Sequence, residues 1–277
     1  MTDRYAVIGH PVAHSKSPEI HSAFARNAGE ALTYERILAP LDGFLAAIDA
    51  FRAGGGRGAS ITLPFKLEAY SYANELSERA RAAGAVNTLK FEGAQVYGDN
   101  TDGIGLCRDI VDNLKVPIKG ARILLVGAGG AARGAMGPLL SAEPKVLVTT
   151  NRTFSKSIEL AAHFSGRGPV QAISSGALAS HRFDIVINAT SASIAGSAPD
   201  IPMECVENGG LAYEMMYGRD PTPFMLSATK RGARVADGLG MLVEQAAEAF
   251  YWWRGVRPAT FGVIAELRTQ LRPQVLA

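Results

Sequence analysis

A chain of 277 residues is long enough for two lobes, and 47% hydrophobic with 19% charged residues excludes a disordered segment. A formal net charge of +2 gives no reason to invoke nucleic acid, and no apolar run approaches the roughly 20 residues that span a bilayer. Two cysteines, Cys107 and Cys205, suit neither a disulfide framework nor a zinc site, so a cytoplasmic protein without a metal or membrane partner is expected.

In chain order, residues 5–8 read as a strand rather than a cleavable signal, and Gly9-His10-Pro11 turns it into a polar loop ending Ser15-Lys16-Ser17-Pro18. Ser17 is expected to cap a helix with Pro18 at its first position; this helix carries Ile20 and Phe24 and stops at Gly29. A strand over 32–38, a helix over 41–52 with Phe44, Ile48 and Phe51 on one face, and a strand over 59–63 follow. The last of these delivers Thr62 and then Lys66 at its end, where open α/β sheets place their ligands. A helical piece over 77–83, the segment 85–89, a turn at Glu92-Gly93 and a polar loop over 98–103 lead to a helix over 104–114.

The stretch R-I-L-L-V-G-A-G-G-A-A at 122–132 organises what comes after. Four apolar residues run without alternation into glycines, as in a strand buried on both faces of a parallel sheet. Gly127 permits a tight turn, Gly129 lets a phosphate approach the backbone, and Ala132 replaces the third glycine while staying small enough for close helix packing. Ala128, Gly130 and Ala131 complete the turn, whose N–H groups favour an anion. A second strand, 145–149, ends in Asn151, Arg152 and Thr153, with Lys156 beyond; no acid stands where a ribose 2′-hydroxyl needs one. These groups suit a 2′-phosphate, which a carboxylate would repel, so NADP is favoured over NAD. Alternation continues with a helix over 154–164, strands over 169–173 and 184–188, the Ala189-Thr190-Ser191 segment, a strand over 210–215, a helix over 222–231 and a strand over 234–236. Helices over 241–253 and 258–272 close the chain.

Hydride transfer needs a cleft that holds an alcohol or ketone and moves a proton as the hydride moves. Ser15, Ser17, Thr62, Lys66, Asn87 and Asp102 lie in expected loops or at strand ends and suit a small ligand rich in hydroxyls. A lysine and a carboxylate facing one oxygen could orient it and shuttle its proton. His10 and His14 read as hydrogen-bonding or solvated loop residues, and Trp252 and Trp253 as core packing or an interface.

These motifs resemble the shikimate dehydrogenase family over nearly the whole chain: G-H-P-V-A-H-S-K-S-P at 9–18, T-L-P-F-K at 62–66, A-V-N-T-L at 85–89, G-D-N-T-D-G at 98–103, G-A-G-G-A-A at 127–132, N-R-T at 151–153, Y-E-M-M-Y at 213–217 and G-L-G-M-L-V-E-Q at 238–245. The resemblance implies an α/β chain of two lobes: an N-terminal substrate-binding domain, residues 1–102 completed by 238–277, and a Rossmann-type doubly wound NADP-binding domain, 103–237. It implies NADPH-dependent reduction of 3-dehydroshikimate to shikimate in aromatic amino-acid (chorismate) biosynthesis, by a monomer or homodimer. Ser15 and Ser17, with Tyr217, would hold the substrate carboxylate; Thr62, Asn87 and Gln245 would bind hydroxyl or carbonyl groups; Lys66 and Asp102 would be the catalytic pair. Thr190 would serve the cofactor, and Gly240 and Met241 would lie by the nicotinamide. Lys66 would act either as general acid/base or as an electrostatic anchor that Asp102 orients. Two departures stand out: Ser60 replaces the family's usual asparagine, and Ser191 to Gly196 departs from its T-S-x-G-M-x-G pattern. The rival readings are a quinate/shikimate dehydrogenase, a paralogue acting on a modified shikimate and, more remotely, a non-catalytic NADP(H) sensor.

Overall fold

The structure is a computed structural model, and it describes residues 2–271. Those residues divide into two units, 2–105 with 243–263 and 106–242 with 264–271.

The first unit alternates strand and helix as far as a closing hairpin: β1 (Asp3–Gly9), α1 (Ser17–Ala28), β2 (Leu32–Leu38), α2 (Phe44–Ala53), β3 (Gly56–Ile61), α3 (Lys66–Tyr72), β4 (Glu75–Leu76), α4 (Glu78–Ala83), β5 (Thr88–Glu92), β6 (Gln95–Asp99) and the start of α5 (Asp102–Arg108). Its sheet runs β2-β1-β3-β5-β6-β4, with β1 parallel to β2 and β3, a hairpin of β5 and β6 whose β5 is antiparallel to β3, and β4 parallel to β6 at the edge. Ile8, Ile48, Phe65, Val86 and Leu89 are buried together in its core. Gly29, left-handed at φ 67°, ends α1 where the sequence places the stop.

Three expectations are corrected here. Ser17 does not cap α1: Lys16 takes that position and Ser17 is the first helical residue, its N–H donating to Ser15 Oγ at 3.3 Å. Residues 66–72 form a helix where a strand end alone is expected, because seven residues are too few to show a helical apolar stripe. Asp102 begins α5 rather than sitting in a loop, and the apolar stripe after it continues as a π-helix over Asp109–Asn113, a rare form concentrated at functional sites.

The second unit contains β7 (Arg122–Val126), α6 (Gly130–Ser141), β8 (Val146–Thr150), α7 (Phe154–Phe164), β9 (Val170–Ala172), β10 (Phe183–Asn188), β11 (Val206–Glu214), α8 (Pro223–Lys230) and β12 (Arg234–Asp237). Every pairing is parallel, in the order β12-β11-β10-β7-β8-β9. That is the doubly wound arrangement, whose strand order reverses between β7 and β10, the edge at which such sheets bind nucleotides. Ile123, Leu124, Leu125, Ile185, Val186 and Ile187 are wholly or almost wholly buried, which is why neither strand alternates.

The chain passes between units within α5, α9 (Leu239–Arg254) and α10 (Phe261–Leu271). The later part of α9 returns to the first unit, where Trp253 stacks on Tyr5 at 4.7 Å and donates to the Leu89 carbonyl at 3.0 Å. Trp253 is therefore core. Residues 264–271 fall with the second unit, whereas the sequence reading gave all of 238–277 to the first; Arg268 forms an ion pair with Asp237 there. Residue 272, the expected end of the last helix, lies outside the described residues.

Candidate active site

In the first unit, two short helices present their opening residues to each other. Lys66 starts α3 and Asp102 starts α5, and Lys66 Nζ donates to Asp102 Oδ2 at 2.5 Å. Asp102 Oδ1 accepts from Asn87 Nδ2 at 2.8 Å, so both carboxylate oxygens are held. Asn87 is buried and is itself oriented: its Oδ1 accepts from the Thr101 N–H and the Thr88 hydroxyl, both at 2.9 Å. The Asn87 amide also donates to Thr101 Oγ1 at 3.0 Å, and Thr101 donates to Gln245 Oε1 at 3.3 Å. Gln245 reaches this set because Gly105 lacks a side chain; a Cβ there would lie 2.6 Å from the Gln245 backbone nitrogen.

The arrangement has a chemical consequence. An ammonium carries three donors and the Asp102 bond uses one, so Lys66 keeps proton-donating capacity while its position is fixed. The lysine remains 29% exposed and the aspartate 15%, enough for a ligand oxygen to reach the pair.

The serine loop is built separately. Ser15 Oγ donates to Ser17 Oγ at 3.1 Å, and Arg36 of β2 clamps the Ser15 carbonyl with Nε at 3.0 Å and Nη2 at 2.6 Å. Glu19 also takes Arg36 Nη2, at 2.7 Å. The loop's start packs on the end of β3, where His10 N–H donates to the Leu63 carbonyl at 2.9 Å. A Cβ at Gly9 would collide with the Thr62 side chain. Ser60, the departure from the family pattern, accepts from the Tyr34 hydroxyl at 2.7 Å. Burial pushes that phenol's pKa well up, which keeps it a donor. His10 is a hydrogen-bonding residue, Nδ1 meeting the Ala39 carbonyl at 2.8 Å, and His14 is exposed.

In the second unit the backbone does most of the work. Gly127 adopts φ +116°, a conformation that favours glycine, and a Cβ there would lie 3.1 Å from the Ala189 carbonyl oxygen. Gly129 precedes α6 in an extended conformation with open space on its Cβ side. Ala132 is fully buried, whereas Gly129, Gly130 and Ala131 are exposed around the helix's first N–H groups. Ala128 is half-buried. Beyond β8, Arg152, Thr153 and Lys156 are exposed, and Asn151 is steadied by donating to the Thr153 carbonyl at 2.9 Å. An open glycine turn, helix N–H groups and cations without an acid fit a phosphorylated dinucleotide.

Thr190, after β10, donates to Asn188 Oδ1 through its N–H at 3.1 Å and its hydroxyl at 2.7 Å. Gly240 is buried, and a Cβ there would fall on the Asp109 carboxylate, which accepts from Tyr213 at 2.6 Å. Met241 follows, also buried. Tyr217 belongs to the second unit, in the segment after β11. Sequence reasoning passed over Thr101, Arg36, Asp109 and Glu214, although a charged residue within an apolar strand, as at Glu214, was a visible signal. Among the described residues, no group of three or more His, Cys, Asp or Glu side chains could hold a metal ion, and no helix is long and apolar enough to cross a membrane.

Comparison with known proteins identifies the family. Three family models match: the shikimate dehydrogenase substrate binding domain at residues 7–89, shikimate / quinate 5-dehydrogenase at 108–198, and the shikimate 5'-dehydrogenase C-terminal domain at 238–267. A shikimate dehydrogenase (NADP(+)) of Herminiimonas arsenicoxydans is 59% identical over 271 residues, 98% of this chain and 99% of the relative. An Ael1 enzyme from Pseudomonas putida superposes with a TM-score of 0.92 at 48% identity, covering 99% of this chain and all (100%) of that one. A shikimate 5-dehydrogenase from Thermus thermophilus, solved with NADP(H) and shikimate, gives a TM-score of 0.87 at 32% identity over 98% of this chain and 100% of that one. The chain belongs to the shikimate dehydrogenase family.

Proposed function

We propose that this chain catalyses the reversible NADPH-dependent reduction of 3-dehydroshikimate to shikimate, a step in chorismate and aromatic amino-acid biosynthesis. The Lys66–Asp102 pair at 2.5 Å, braced by Asn87, carries the reading. NADPH supplies the hydride when bound. Lys66 hydrogen-bonds to the carbonyl oxygen of the substrate and gives up a proton from Nζ as that oxygen becomes a hydroxyl; in the reverse direction it takes the proton back. Asp102 holds the Lys66 Nζ on line, and such a positioned acid/base contributes about 10² to 10⁴ in rate.

The remaining polar residues share out the substrate. Ser15 and Ser17 with Tyr217 hold the carboxylate, and Thr62, Asn87 and Gln245 take its oxygens. The substrate-binding domain is the unit of 2–105 with 243–263, and the nucleotide-binding domain is the unit of 106–242 with 264–271. In the latter, the turn from Gly127 to Ala131 holds the pyrophosphate, Asn151, Arg152, Thr153 and Lys156 take the 2′-phosphate, Thr190 serves the cofactor, and Gly240 and Met241 lie by the nicotinamide. The protein works in the cytoplasm as a monomer or homodimer. Mixing the purified protein with 3-dehydroshikimate and NADPH should consume both in equal amounts and yield shikimate, identified by chromatography. Consumption of neither, or a product other than shikimate, contradicts the assignment.

A further inference from the structure

Glu214 ends β11 with no solvent exposure. A carboxylate there is tolerable only if its lone pairs are met. Four donors meet it: Asn188 Nδ2 at 2.8 Å, Ser193 Oγ at 2.6 Å and Thr222 Oγ1 at 3.1 Å converge on Oε2, and the Met216 N–H reaches Oε1 at 3.1 Å. The donors belong to the carboxyl ends of two neighbouring parallel strands, β10 and β11, and to the segments that leave them. Each segment is fastened again nearby. Asn188 holds Thr190 by two bonds, the Thr190 hydroxyl accepts from the Ala192 N–H at 3.3 Å, and Thr222 caps α8 by accepting from the Met225 N–H at 3.3 Å. Thr190 and Tyr217 lie on these two segments.

We infer that Glu214 is a positioning residue that fixes both segments from beneath, and that Ser193 is a latch that pre-orders residues 189–197 and so tightens nucleotide binding. The inference rests on the function proposed above for the roles of Thr190 and Tyr217. Its physical basis is independent of that function. Ser193 is only half-buried and stands in the stretch that departs from T-S-x-G-M-x-G, so here a side chain ties down a segment for which that pattern offers glycine. A segment already ordered when the ligand arrives spares the ligand the cost of ordering it. A hydroxyl bonded to a carboxylate is among the stronger hydrogen bonds, so its loss is expected to weaken NADP⁺ binding about five- to tenfold.

The test uses the intact protein with Ser193→Ala and Glu214→Gln, measuring NADP⁺ affinity by calorimetry without turnover, hydrogen exchange over residues 189–197, and KM and kcat with shikimate. Ser193→Ala should raise the Kd and KM for NADP⁺ together and speed exchange in that segment. Glu214→Gln should do the same and also raise KM for shikimate, because it loosens the Tyr217 segment. Unchanged nucleotide affinity and exchange in Ser193→Ala overturns the latch, and a Glu214→Gln variant that only melts earlier, with both KM values unchanged, overturns the positioning role. A wild-type chain that binds NADP⁺ but does not oxidise shikimate contradicts the proposed substrate, while the calorimetric comparison still decides the latch.

Discussion

The two units build their polar surfaces in opposite ways. In the first, side chains hold side chains: Asn87, Thr101, Asp102, Lys66 and Gln245 form one connected set in which each carboxylate or amide oxygen is already met. In the second, Gly127, Gly129 and the first turn of α6 offer backbone N–H groups, and Arg152, Thr153 and Lys156 stand exposed with no acid among them. A substrate whose hydroxyls must be told apart needs preset donors and acceptors, because a mispaired group there costs about 1 to 3 kcal/mol. A pyrophosphate needs only charge and close approach, which a glycine turn supplies. The first unit thus presets its polar groups through side chains, and the second offers backbone conformation together with exposed cations.

The comparison breaks most sharply at Lys66. Lys66→Ala should lower kcat about 10³-fold, and Asp102→Asn about 10²-fold, with NADP⁺ affinity within about twofold of wild type in both; steady-state rates and calorimetry together check this. A conformational change in the other unit should give the converse pattern. Gly127→Ala forces a side chain into φ +116° and against the Ala189 carbonyl, so it should weaken NADP⁺ binding at least tenfold and cost about 1 to 3 kcal/mol of stability. Arg152→Ala should be milder: about a tenfold rise in KM for NADP⁺, equivalent to about 1.4 kcal/mol, with little change for NAD⁺. If both cofactors suffer equally, Arg152 is not reading the 2′-phosphate.

The smallest effect at neutral pH lies beneath the serine loop. His21 is buried against Tyr34 (stacked, 4.3 Å), Phe24, Phe250 and Trp253, and neither ring nitrogen has a hydrogen-bond partner. Burial pushes its pKa from 6.5 down to about 3. The folded state therefore binds fewer protons than the unfolded one between those values, so stability is full above pH 6.5 and falls as the pH drops, by up to about 1.4 kcal/mol per pH unit. His21→Leu should flatten denaturant midpoints between pH 6.5 and 5. The Arg122-paired Asp184, whose pKa is lowered from 3.8, loses its contribution only below that window.

How much of this was legible in the sequence follows from the kind of interaction involved. The parallel sheet of the second unit shows in runs such as Ile123 to Val126, because burial on both faces removes alternation, and the glycine turn shows because φ +116° favours glycine. The residue types of the first unit's polar set are visible, yet nothing in the sequence brings together Lys66 and Asp102, which are 36 positions apart on two short helices. Ser17 looks like a helix cap because serine accepts N–H bonds well; it is instead the first helical residue and donates its own N–H to Ser15 Oγ. The π-helix at Asp109–Asn113 shares its apolar stripe with an ordinary helix, and the donors gathered at Glu214 come from positions 188, 193, 216 and 222, a grouping only the fold creates.

Initial rates of cofactor reduction by shikimate and by quinate, each with NADP⁺ and with NAD⁺, on protein freed of metal, decide whether this chain is an NADP-dependent shikimate dehydrogenase. Shikimate with NADP⁺ should turn over rapidly, and the other three pairs should show at least tenfold lower kcat/KM, about 1.4 kcal/mol or more of discrimination. Equal or greater activity with quinate or with NAD⁺ would contradict the reading of the first unit's preset partners or of Arg152 respectively, and no activity with any pair would contradict the proposed function itself.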